Sequence, residues 1–208
     1  MQPHLKQKLT ALLPVLVVAV ICFLALSIFH RFTYQRIDSN RRSAELHLAE
    51  DVMPLPHDND LLSDRIEVTD KGVFNSSLPV GVYRARKNGN PVGLVLMPVM
   101  ARGYNGLIEL AVGIAYNGEL TGVRVYRHRE TEGLGDRIHQ DHSDWIFGFD
   151  GHSLQNTAAD AWGVKSDGGE FDQLSGATIS PRGVIKEVKN TLDYYDLNKD
   201  KLYKERAE

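Results

Sequence analysis

Residues 172–183 read Asp172-Gln173-Leu174-Ser175-Gly176-Ala177-Thr178-Ile179-Ser180-Pro181-Arg182-Gly183, a run of small residues that delivers a threonine hydroxyl just ahead of a helix. Ser180-Pro181 has the form of an N-cap followed by a proline at the first helical position. Small side chains let a bulky ligand approach the backbone. The free N–H groups and positive dipole end of a helix N-terminus favour a phosphate. Thr178 therefore stands where a phosphate is welcome. An ordinary loop and cap has the same residues, so the physics alone leaves both readings open.

Other constellations compete with this one. His128, Glu130, His139, Asp141, His142 and Asp144 crowd one interval, and imidazole and carboxylate are common ligands of zinc and iron. Their spacing matches no tight ligand pattern, and the reading set against a metal is a solvated polar loop. Lys165, Arg182 and Lys186 could neutralise a phosphate, or serve as surface charges. Trp145 and Trp162 suit either a ring-binding site or the core. No Gly-x-Ser-x-Gly elbow, Walker loop or Gly-x-Gly-x-x-Gly fingerprint occurs, which argues against hydrolase, nucleotidase and Rossmann dehydrogenase chemistry.

The run from Asp172 to Thr178 resembles the flavinylation motif of the FMN-binding domain family, shared by the G subunit of the Rnf ion-translocating oxidoreductase and the C subunit of the sodium-translocating NADH:quinone reductase. A second segment, His128-Arg129-Glu130-Thr131-Glu132-Gly133-Leu134-Gly135, is similar to the family's His-x-Glu-Thr-Pro-Gly-Leu-Gly, with Glu132 where proline is common. Gly103-Tyr104-Asn105-Gly106, the N-terminal helix and the terminal helix extend the likeness over almost the whole chain. The length and the Thr-Ile-Ser-Pro-Arg that ends the attachment run look more like the Rnf protein.

The resemblance implies one covalent FMN per chain, its phosphate esterified to Thr178 by a separate flavin transferase that uses FAD and releases AMP. It implies flavin contacts from Ser175, Gly176, Ala177, Glu130, Thr131, Gly133 and Leu134, to which Lys165 is added as a cation for the phosphate. The glycines of the second segment suit backbone N–H groups meeting a flavin's carbonyl edge, with Leu134 as an apolar contact; on the residues alone that segment is equally a tight turn. The implied partners are the other subunits of the complex. The implied activity is electron carriage between ferredoxin and NAD coupled to ion movement, with no catalysis by this chain alone.

These segments must be positioned by a scaffold. Strand periodicity marks Val82–Arg86, Val92–Met100, Ile108–Tyr116 and Leu120–Arg127, with turns at Asn88-Gly89-Asn90-Pro91 and at Asn117-Gly118, the latter read as a two-residue hairpin. A last helix carries Val184, Ile185, Val188 and Leu192 on one face. The expected class is α+β: an N-terminal transmembrane helix, then a mainly antiparallel sheet with flanking helices. The expected division is a tail at 1–8, a membrane helix at 9–29, a stalk at 30–80 with a helix around Ser43–Val52, the FMN-binding domain at 81–196, and a charged, fraying tail at 197–208.

From Leu9 to Phe29 only Thr10, Pro14 and Ser27 interrupt an apolar run, long enough at about 1.5 Å per residue to cross a roughly 30 Å hydrocarbon core. A cleaved signal peptide is the alternative, since Lys6 and Lys8 precede the run and Ala25-Leu26-Ser27 has a cleavage-site form. Arg31, Arg36, Arg41 and Arg42 outnumber Lys6 and Lys8, so counting charges favours a cytoplasmic C-terminal domain. The resemblance instead implies a single-pass bacterial inner-membrane protein whose flavin domain is periplasmic. Composition is that of a globular chain: 42% hydrophobic, 25% charged and net −3, without the basic excess of a nucleic-acid binder. The single cysteine, Cys22, lies in the apolar run, so the remainder can form neither an internal disulfide nor a thiolate metal site. A membrane-anchored, extracytoplasmic binding or assembly module without redox activity is the alternative function.

Overall fold

The computed structural model describes residues 3–74 and 76–204, with side chains from 14 onward apart from residue 35. The chain divides into two compact units, residues 1–45 and 46–208. The first consists of most of helix α1 (Pro3–Val52), including Pro14. It is the one described helix long and apolar enough to cross a membrane, with a mean hydropathy of 2.4 in its most apolar window and none of that window buried. Phe23, Leu26 and Phe29 stand about 70% exposed, which in water would leave a large apolar surface unsatisfied.

The second unit is built on a five-stranded antiparallel sheet in sequence order, β1-β2-β3-β4-β5. The strands are β1 (Arg65–Val68), β2 (Val80–Lys87), β3 (Asn90–Arg102), β4 (Leu107–Ala115) and β5 (Leu120–Arg127). The expected α+β class holds, and the four strands read from periodicity lie where they were expected. β1 went unread because it is short and alternates exposed Arg65 and Glu67 with half-buried Ile66 and Val68. Pro98 sits in the middle of β3, where the pairing to β4 shifts register between Leu96 and Val99; an irregularity is where a strand tolerates a residue without an N–H.

The two turns exchange roles relative to the sequence reading. Asn88 and Gly89 have φ of 51° and 79°, and Lys87 pairs with Asn90 across them, the two-residue hairpin with both central φ positive. Between β4 and β5 only Gly118 is left-handed. The loop there is longer, Ala115 N–H donating to Glu119 O, with the Asn117 side chain accepting from Glu119 N–H. Asn117 thus works as an Asx turn rather than as half of a tight hairpin.

Both faces of the sheet are covered, so β2 to β5 read as nearly continuous buried runs. On one face α3 (Ile179–Tyr203) packs Val184, Ile185, Val188 and Leu192 against Leu94, Leu96, Leu110 and Val112. On the other, Ala49, Val52, Met53 and Leu61 meet Tyr83, Ala85, Val95 and Ala111. The helix expected around Ser43–Val52 is therefore the end of α1, and residues from 46 onward belong to the compact unit.

A flat patch receives that helix end: Gly113 pairs with Gly122 across β4 and β5, and Val52 lies directly on them. A Cβ at Gly113 would fall 2.0 Å from the Val52 carbonyl oxygen. Thr121 Oγ1 donates to that oxygen, and Arg124 Nε donates to Asp51 at 2.8 Å.

The expected fraying after Tyr195 is not found. α3 continues to Tyr203 with Leu202 buried. Arg84 donates to the Lys204 carbonyl at 2.8 Å and Arg86 to that of Tyr203 at 3.1 Å, while Asp64 pairs with both arginines. Cations at a helix C-terminus satisfy carbonyls that have no helical partner. Residues 205–208 of the expected tail and residues 1–2 of the N-terminal tail lie outside the described residues. Gly113→Ala is expected to destabilise the folded domain by about 1–3 kcal/mol through overpacking, with a smaller effect for Gly122→Ala, where the nearest atom is 3.0 Å away. Denaturant unfolding of the two variants checks the order.

Candidate functional site

The run of small residues forms a tight turn. Ala177 N–H donates to Leu174 O at 3.0 Å, and Gly176 has φ of 81°. The third position of such a turn requires a positive φ, which glycine adopts without penalty. A Cβ at Gly176 would also lie 3.1 Å from Leu134 Cδ2, so this turn and the His128–Gly135 segment are in contact.

Helix α3 begins two residues before the expected position. Its N-cap is Thr178, not Ser180, and the Thr178 carbonyl accepts from Arg182 N–H at 3.3 Å. Pro181 is then the third helical residue rather than the first. A threonine cap ordinarily accepts a hydrogen bond from the N–H of the second or third helical residue. Here the third has no N–H, and Thr178, in helical backbone conformation, makes no side-chain cap bond. The first turn itself contains no acidic residue; the carboxylate that meets it is that of Glu130, which accepts from the Ser180 hydroxyl.

The facing wall is the second glycine segment. The Thr131 carbonyl accepts from the N–H groups of Leu134, Gly135 and Asp136 at 3.2, 3.1 and 3.3 Å, and Gly133 takes φ of 74°. Glu132, where the family pattern has proline, is exposed, and the turn closes on its glycines without that ring. Between the walls lies a cavity of about 260 Å³. It brings together Glu130, Thr131, Leu134, Gly176, Ala177 and Thr178 of the predicted site. Tyr104, Ile179 and Ser180 also line it. Tyr104 was signalled by Gly103-Tyr104-Asn105-Gly106, whereas Ile179 and Ser180 follow from the helix starting early. The volume is just below the roughly 300–1,000 Å³ of small-molecule pockets, so a ligand of FMN size would be partly exposed.

Three predicted contacts stand apart from this cavity. Ser175 and Gly133 form the corners of the two turns and do not line it. Lys165 pairs with Asp172 at 2.6 Å, at the far end of the 172–178 run from Thr178. Arg182 is held by Asp167 through two bonds of 2.6 and 2.7 Å; the same bonds hold the Asp167 carboxyl below its usual range. Lys186 is exposed on α3.

A second cavity, of about 390 Å³, lies beside Asp172–Leu174 and contains none of the predicted site residues. Trp145 lines it and donates its indole N–H to the Asp172 carbonyl at 2.7 Å, tethering the start of the 172–178 run. Trp162 packs on Phe171, ring centroids 5.5 Å apart. Both tryptophans thus belong to the packing beside the core.

Among the described residues no group of three or more His, Cys, Asp or Glu side chains is placed to hold a metal ion. The histidines instead organise their loop. His128 Nδ1 accepts from Glu130 N–H and His139 Nδ1 from Asp141 N–H, each at 3.2 Å, and His142 pairs with the buried Asp136. Desolvation, with added repulsion from His128 and His142, lowers the His139 pKa below its ordinary 6.5, against the opposing pull of Asp141. Between 6.5 and the lowered native value the unfolded chain binds more protons than the folded one. The contribution of His139 to stability is therefore complete above about pH 6.5 and lost as pH falls below it. His139→Asn is expected to reduce the loss of denaturant stability between pH 7 and pH 5, measured against the unaltered protein.

The FMN-binding domain family matches residues 103–193, a span that contains every residue lining the cavity beside Thr178. The G subunit of the ion-translocating oxidoreductase complex of Pseudoalteromonas atlantica is 41% identical over 172 residues, covering 82% of this chain and 80% of that protein. Its counterpart in Pseudomonas aeruginosa, also a G subunit, is 40% identical over 177 residues, 85% of this chain and 83% of its own length. That of Vibrio cholerae is 34% identical over 174 residues, 84% and 83% respectively. With likeness at this level over most of both lengths, the chain belongs to the G-subunit family of the Rnf ion-translocating oxidoreductase complex, and it contains an FMN-binding domain.

Proposed function

We propose that the chain carries one FMN joined through a phosphoester to Thr178 Oγ, and that it passes electrons on this flavin within the complex. The observation that carries the reading is the uncapped hydroxyl: Thr178 occupies the N-cap, makes no cap bond and lines a cavity with Leu134 and Gly176. The N–H groups of Ile179 and Ser180 have no helical acceptor and suit a phosphate oxygen. Leu134, 45% exposed, and Tyr104, 70% exposed, offer apolar surface to a ring. The bound flavin supplies one- and two-electron chemistry, while the chain binds, orients and partly shields it. Glu130, Thr131, Gly176 and Ala177 complete the site on this reading, and Lys165 acts only through Asp172. No side chain of this protein need act as acid or base in a substrate's reaction, so it is not catalytic alone.

Attachment requires a flavin transferase with FAD as donor. The bond from Thr178 Oγ to the flavin-side phosphorus forms as the pyrophosphate bond breaks. AMP leaves with the bonding pair, the hydroxyl proton passes to a base, and nothing is oxidised or reduced. The apolar run at 9–29 is the proposed span of the bacterial inner membrane, anchoring the carrier in lipid beside the other subunits of the complex. The flavin domain, assigned to residues 81–196, is placed on the periplasmic side. Electron flow between ferredoxin and NAD, coupled to ion movement, is the proposed process.

Co-expression with a flavin transferase is expected to add one FMN phosphoryl mass to the intact chain; no gain would leave an anchored binding module without redox activity. Thr178→Val is expected to abolish the adduct and its in-gel fluorescence while changing stability by less than about 1 kcal/mol, as for substitutions that break no buried network. A fluorescent band persisting in Thr178→Val would move the attachment elsewhere.

A further inference from the structure

Glu130 is 7% exposed, and three donors converge on it. Oε1 accepts from Asn105 N–H at 3.0 Å. Oε2 accepts from Tyr104 N–H at 3.3 Å and from the Ser180 hydroxyl. The surrounding backbone lies flat against it: a Cβ at Gly103 would fall 2.3 Å from Oε1, and one at Gly135 2.9 Å from Oε2. One carboxylate therefore ties together three separate pieces of chain, namely the turn after β3, the loop bearing Thr131 and Leu134, and the second residue of α3. Ser180 is two residues beyond Thr178, on the same first turn.

A buried carboxylate surrounded by donors has its charge satisfied by the protein. Offered to a phosphate, the same charge would repel it. The resemblance made Glu130 a flavin contact; the hydrogen bonds give its oxygens another task. We infer that Glu130 is a positioning residue for flavin attachment: through Ser180 and the Tyr104–Asn105 backbone it fixes the start of α3 against the cavity walls, and so fixes the direction of the Thr178 hydroxyl. This rests on Thr178 being the attachment point. Glutamine is a poor substitute, because it keeps one acceptor oxygen and turns an NH₂ toward the Tyr104 N–H. Nucleophilic attack on phosphorus is sensitive to alignment, and a displacement of about 1 Å can cost on the order of a hundredfold in rate.

The test is a time course of FMN adduct formation on the full chain in detergent, with purified flavin transferase and FAD, read by intact mass. Glu130→Gln is expected to lower the rate constant at saturating transferase by roughly tenfold or more, with the final yield unchanged among folded chains. Ser180→Ala, which removes a single bond and disturbs packing less, should slow it by a smaller factor. The double variant should be no slower than Glu130→Gln, since both act through one contact. A merely structural role would lower the final yield and leave the rate constant of the competent fraction unchanged. That result, or wild-type rates in both single variants, would overturn the positioning role alone. An unaltered chain that gains no adduct, or an adduct persisting in Thr178→Val, would overturn the attachment reading and this inference with it.

Discussion

Pro181 removes one of the two N–H groups to which the Thr178 side chain could turn, and the helical backbone of Thr178 leaves the other unused. A helix start needs its first N–H groups satisfied, and a threonine normally does so with its own oxygen. With proline third in α3 only the Ser180 N–H remains as a cap partner; Thr178, in helical backbone conformation, does not use it, and the donors of the first turn stay available. Much of the site follows from that constraint. Thr178 lines the cavity and makes no cap bond to the helix, Gly176 bends the chain before it, and Leu134 closes the opposite side.

Rigid placement of such a hydroxyl depends on a sheet covered on both faces. α3 lies on one face so closely that a Cβ at Gly183 would fall 1.9 Å from the Arg102 carbonyl oxygen, at the end of β3. At its other end α3 is held by Arg84 and Arg86, themselves held by Asp64. The helix that begins at Thr178 is thus fixed along its length, while the loops beside its start are gathered on Glu130. An electron carrier benefits from this economy: the cofactor does the chemistry, and the protein has only to keep it bound, oriented and near its partners.

Much of the architecture was legible in the sequence, because strands of β-branched residues broken by Asn-Gly pairs and a helix with an apolar face follow from local periodicity. What remained hidden was set by distant residues. β1 is too short and too charged to announce itself. Coverage of the second face depends on Gly113 and Gly122 meeting across two strands beneath Val52, a coincidence no local pattern shows. The order at the end of α3 comes from arginines on β2. At the site, Thr178, Gly176, Thr131 and Leu134 were legible through resemblance and were brought together by the fold. Ser180-Pro181 misled because a cap followed by proline and a proline in the third position share the same local composition. Lys165 was a reasonable phosphate partner until the fold gave its charge to Asp172.

The central claim is that the Thr178 oxygen is the ester link to the flavin. Isolating the protein from its own membrane, digesting it with trypsin and weighing the Ser166–Arg182 peptide tests this most directly, since no lysine or arginine interrupts that stretch. The expected result is a peptide heavier by one FMN phosphoryl group, with fragmentation assigning the addition to Thr178. The same peptide at its bare mass would contradict the account.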